Sequence, residues 1–294
     1  MSNRLAPAGV GLALFVGLAQ IRLGETWSDG ALLAWSAAPA LALLALAWTA
    51  PKAGGRPAPG TSVLVVAGLF LAAIAVLRLG VVVEGRDFGE STGTLLWMLA
   101  LYLGIAVATA QRTGSAAATF VAALVLVGAI LVGSNWAFGA ESPDTFRTIL
   151  VALFFVLLLA GIAAPGRHGV VLVSAAGLTA LVATPGFGLF LLSPLFLLYE
   201  NGGVGGWGWQ LVTLVQAVCL LAYAVREGEP GPAYLCFFVL LSWVYWVGVD
   251  LDQLFEESDG GGEQADATLK GWPLVIGAAT VLAALWGLRP ARRE

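Results

Sequence analysis

Polar positions in this chain come in clumps, separated by long apolar runs. The runs cover roughly 6–22, 31–49, 61–83, 94–110, 115–135, 148–163, 207–225, 232–250 and 271–288, with one irregular run over 169–199. Each regular run is close to the roughly 20 residues that an α-helix, rising about 1.5 Å per residue, needs to cross a hydrocarbon core of about 30 Å. No stretch shows the alternation, with a period of two, of a membrane β-barrel strand. The connectors "PKAGGRPAPG", "QRTG", "APGRHG" and "REGEPGP" are rich in Gly and Pro, which end helices through a free φ and a missing N–H. The pattern predicts an all-α, polytopic membrane helical bundle, a single transmembrane domain over 1–294 with about 10 transmembrane helices.

The irregular run decides the threading. Its second part, "VATPGFGLFLLSPLFLLYENGG", is broken at Pro185, Gly186, Gly188 and Pro194. Two full helices would need about 40 residues, and the stretch 169–199 is shorter than that. Basic residues in short loops stay on the cytoplasmic side. With one crossing over 169–199, nine basic residues face inward (Arg4, Lys52, Arg56, Arg112, Arg167, Arg226, Arg289, Arg292 and Arg293) and five outward (Arg22, Arg78, Arg86, Arg147 and Lys270). With two crossings the inner count falls to six and the outer rises to eight. One crossing near 169–184 is therefore expected, with both termini cytoplasmic and a broken or re-entrant element near 182–203.

Composition agrees with a membrane protein. Hydrophobic residues make up 59% of the chain and charged residues 11%, against about 25% charged in soluble domains. Arg4 is too weak a basic start for a cleaved signal, so the first run reads as a retained helix. Cys219 and Cys236 fall inside apolar runs and read as packing residues, and there is no CxxC. The net charge of −4 and the lack of a long basic run speak against a nucleic-acid partner.

Candidate chemistry is sparse. The single histidine, His168, lies in an inner connector, away from Ser134, so no serine–base pair forms. "VGVDLD" and "FEESDGG" fall short of intramembrane protease motifs, and Lys52 and Lys270 sit at run edges. The reading leans away from an enzyme, and no catalytic residue, metal or cofactor is expected. What remains is an outer polar cluster: Arg78 within the third run, Glu84 just beyond it, and Asp250 and Asp252 at the end of the ninth. Ionisable groups within spans are costly and mark water cavities or solute paths. The competing reading is that Arg78 snorkels to the headgroups. Gln210, Gln216 and Asn135 are expected to hydrogen-bond between helices, and Trp27, Trp136, Trp207, Trp209 and Trp272 to anchor at the interfaces.

Pro39 interrupts the second run, and the matching run of a five-plus-five division is the broken one. Broken helices at matching places suggest a transporter built from inverted halves. The last run carries Ala279, Ala283 and Gly287 on one face, a stripe that permits close helix contact. The C-terminal segments "AYLCFFVLLSWVYWVGVDLDQLF" and "LKGWPLVIGAATVLAALWGLRPARRE" resemble the last helix pair of a bacterial family of polytopic integral membrane proteins of unknown function. The resemblance implies a bacterial inner-membrane location and carries no functional residue over. The expected function is small-solute transport; the alternative is a non-catalytic scaffold or subunit of an envelope complex. The partners are then the lipid bilayer and either a solute or a membrane protein.

Overall fold

The computed structural model describes residues 2–24, 26–50, 52–53, 56–85, 89, 91–139, 143–184 and 207–256. These form nine α-helices: α1 (Ser2–Leu23), α2 (Asp29–Thr49), α3 (Pro59–Glu84), α4 (Thr92–Thr113), α5 (Ala116–Phe138), α6 (Pro143–Ala163), α7 (Arg167–Ala183), α8 (Trp207–Glu227) and α9 (Pro230–Glu256). Seven are long and apolar enough to cross a membrane. The protein is a multi-pass helical membrane protein. The run 271–288 and the breaks at Pro185, Gly186, Gly188 and Pro194 lie outside the described residues.

Local chemistry sets the helix ends. Ser28 caps α2 by accepting from the Ala31 N–H at 3.3 Å, and Ser91 caps α4 by accepting from Thr94 at 3.4 Å. Pro59 opens α3, where its missing N–H costs nothing. Gly114 closes α4 in the left-handed region, at φ 67° and ψ 25°, where a side chain would be strained. Between α2 and α3, Lys52–Ala53 and Arg56–Pro57 pair as a short antiparallel hairpin. Pro39 leaves α2 continuous from Asp29 to Thr49.

The chain divides into two compact units, Met1–Ala140 and Glu141–Glu294. In the first, α3 is the hub against which α1, α2 and α4 pack, and α4 and α5 form a hairpin. Leu64, Val65, Leu69 and Leu71 of α3 are buried with Val16 of α1, Leu43 and Leu44 of α2, and Ala106 of α4. Gly68 admits Leu44 to the α3 backbone, since a Cβ there would lie 2.8 Å from Leu44 Cδ2. The Tyr102 hydroxyl of α4 donates to the Leu69 carbonyl at 3.0 Å. In a bilayer such close packing and interhelical hydrogen bonds, rather than water exclusion, hold helices together.

In the second unit, α6 and α7 form an antiparallel hairpin and α7 also packs on α8 and α9. The hairpin is closed by two glycines. A Cβ on Gly169 would stand 2.5 Å from the Gly161 carbonyl oxygen and 2.7 Å from that of Ala164. The Tyr223 hydroxyl, near the end of α8, lies 3.3 Å from the same position. At the other end of the unit, Arg147 in the second turn of α6 meets Trp209 at the start of α8. Helices α6 and α8 therefore begin at the same end, and α7 finishes at the end where α8 begins.

Candidate functional site

In the first unit, Arg78 joins three helices. It stands six residues before the end of α3, about 9 Å along the axis. Its Nε donates to Gln20 Oε1 of α1 at 2.8 Å, and Nη1 lies 3.5 Å from Asp29 Oδ1 at the start of α2. Gln20 passes the contact on, its Nε2 donating to the Leu32 carbonyl of α2 at 2.9 Å. Gln20 is buried, whereas the Arg78 and Asp29 side chains keep 24% and 32% exposure. Nη2 of Arg78 donates to no described residue.

Glu84, at the end of α3, turns instead to α4. It accepts from the Thr94 hydroxyl, and the Trp97 indole N–H donates to Oε1 at 3.5 Å. The acid beside Arg78 is thus Asp29 rather than Glu84. Asp250 and Asp252 belong to the last turns of α9, in the second unit, and their side chains lie outside the described residues. Sequence reasoning passed over Gln20 and Asp29. The signal is in the sequence: the expected threading puts Arg22, at the end of the first run, on the same side as Arg78, and the start of the second run with it.

A second cation was also missed. Arg147 is buried, at 3% exposure. Its guanidinium carbon lies 5.1 Å from the Trp209 ring centroid, and Nη1 is 3.9 Å from Asp144 Oδ1 one turn earlier. A cation over an indole face away from water gains about 2 kcal/mol, so Trp209 serves as a cation partner. Trp27 and Trp136 are exposed at helix ends; the side chains of Trp207 and Trp272 lie outside the described residues.

The polar residues expected between helices divide. Gln210 is buried and engaged, Asn135 is half-buried, and Gln216 is buried in α8 with neither amide atom hydrogen-bonded to a described residue. An unmatched buried amide costs about 1–3 kcal/mol. Gln216→Leu is accordingly expected to raise the unfolding midpoint in detergent by a few degrees. A lower midpoint would show that the amide holds a partner.

Two lateral grooves complete the first unit. One, of about 730 Å³, lies between α2, α3 and α4 and is lined by Ala37, Ala40, Ala72, Ala75, Gly104 and Ala108, with larger apolar neighbours. The other, of about 580 Å³, lies between α1 and α3 and has Gln20 and Arg78 at one end. Among the described residues no three or more His, Cys, Asp or Glu side chains gather as metal ligands. Comparison with protein-family models, curated proteins and solved structures finds no match to this chain.

Proposed function

We propose that this protein acts through its lateral membrane face, as a non-catalytic scaffold or subunit that receives a transmembrane helix of a partner protein between α2, α3 and α4. The observation that carries this reading is the small-residue lining of that groove. Ala37, Ala40, Ala72, Ala75, Gly104 and Ala108 belong to three helices around one trough, and small residues let another helix backbone approach closely. The lining holds no ionisable side chain, as a surface for an apolar helix requires.

The proposed threading has about ten crossings with both termini cytoplasmic, in a bacterial inner membrane, following the bias of basic residues. The shared starting end of α6 and α8, marked by Arg147 and Trp209, supports a net single crossing over 169–199. A small-solute carrier is the second reading. It is supported by the division at Ala140 and Glu141, which falls where a five-plus-five split would fall.

A photoreactive residue at Leu101, exposed at the groove, tests the first reading in native membranes. One discrete protein adduct is expected, and Gly104→Phe should remove it at least tenfold. A Cβ on Gly104 meets nothing within 4 Å, so this variant fills the trough without disturbing the fold. Adducts to lipid alone, together with solute uptake in proteoliposomes that survives Gly104→Phe, would favour the carrier and overturn docking.

A further inference from the structure

The second groove has the polarity of a lipid. Its walls are apolar side chains of α1 and α3, among them Leu14, Leu18, Phe70 and Leu77, and its polar groups, Gln20 and Arg78, stand together at one end. Leu14, Leu18 and Phe70 are 61%, 63% and 50% exposed, as expected of side chains that face acyl chains. From Phe70 to Arg78 the helix rises about 12 Å, close to the roughly 15 Å of hydrocarbon in one leaflet. Arg78 thus meets the bilayer near the depth where a glycerophosphate begins.

We propose that this groove binds one anionic phospholipid, with an acyl chain along α1 and α3 and its phosphate on Arg78. Charge favours an anion. Asp29 engages Nη1 but not Nη2, Glu84 is turned to α4, and Arg22, in the last turn of α1, is exposed at the same end. Guanidinium pairs well with phosphate oxygens. A free phosphate would make no use of the apolar walls, whereas an amphiphile uses both parts. The Gln20 contact holds the guanidinium at Nε, so the site is ordered before the lipid arrives. This site is independent of the helix-docking groove and stands whether or not a partner binds there.

Native mass spectrometry of the full chain, released from nanodiscs of equal parts phosphatidylglycerol and phosphatidylcholine, tests the proposal. One retained phosphatidylglycerol is expected, at least tenfold preferred over phosphatidylcholine. Gly17→Leu should cut retention about tenfold, because Gly17 lines the groove and a Cβ there meets Phe70 at an ordinary 3.6 Å, so the fold tolerates the added side chain. Arg78→Gln should remove the preference between the two lipids more than the retention itself. Equal retention of both lipids by the parent chain, or unchanged retention in Gly17→Leu, would overturn the proposal. So would displacement of the lipid by millimolar inorganic phosphate, which would reveal an anion site alone, or a dimer mass lost in Gly17→Leu, which would make the groove an interface between copies.

Discussion

Gly169→Val is expected to destabilise the second unit by about 3 kcal/mol or more, because the new atoms meet backbone rather than yielding side chains. The Cβ alone would stand 2.5 Å from the Gly161 carbonyl oxygen and 2.7 Å from that of Ala164. Relief requires α6 and α7 to separate, which also strips Val173 of its close contact with Gly161. Gly161→Ala should act through the same separation, since its Cβ would lie 2.5 Å from Val173 Cγ2. The pair should therefore cost less than the sum of the two. Thermal unfolding in detergent, followed by tryptophan fluorescence, measures both. An unchanged midpoint for Gly169→Val would mean that the two helices lie farther apart than this packing requires.

Arg78→Leu carries the next largest effect. It removes the donor to Gln20 and the cation beside Asp29, and leaves the buried Gln20 oxygen without its donor. Hydrogen bonds to charged groups contribute about 1.5–3 kcal/mol, and a loss of about 2–4 kcal/mol from the first unit is expected. Arg78→Lys should recover only part of this, because one ammonium cannot reproduce the fork that reaches Gln20 and Asp29 together. Unfolding of the three variants in one detergent gives the order: parent, Lys, Leu. If Leu matched the parent, Arg78 would be held by the interface and not by its two partners. Arg78→Leu is consequently a poor probe of transport or assembly, because a loss there would report instability first. Gly104→Phe and Gly17→Leu are the cleaner probes.

The helices were legible because their signal is local. Length and apolarity place α1 to α6, α8 and α9 with ends within about six residues of the runs, and α7 begins and ends beside the expected crossing near 169–184. Pro39 stays inside a continuous α2, since a bilayer leaves the helix as the only satisfactory backbone. The sites were less legible because their partners are remote in sequence. Arg78 lies 58 residues from Gln20 and 49 from Asp29, and hydropathy reports neither separation. Arg147 reads as an exposed charge beside Asp144 until α8 brings Trp209 over it. The glycines of "APGRHG" read as turn chemistry, yet Gly169, with Gly161 in the helix before it, serves contact between helices. The proposed direction of the threading rests on charge counting alone; the end shared by α6 and α8 supports the proposed net crossing and not its direction.

The lateral reading is tested most directly by the reach of water across the first unit. Single cysteines would be placed along α3 and α4, in a background with Cys219 and Cys236 replaced by alanine, and labelled in membranes with a water-soluble thiol reagent. Labelling is expected near Glu84, Thr92 and Arg112, with protection through the middle at Leu71, Ala72, Gly104 and Ala106. A continuous labelled stripe through those middle positions would reveal an aqueous path and contradict a protein that works through its lateral face.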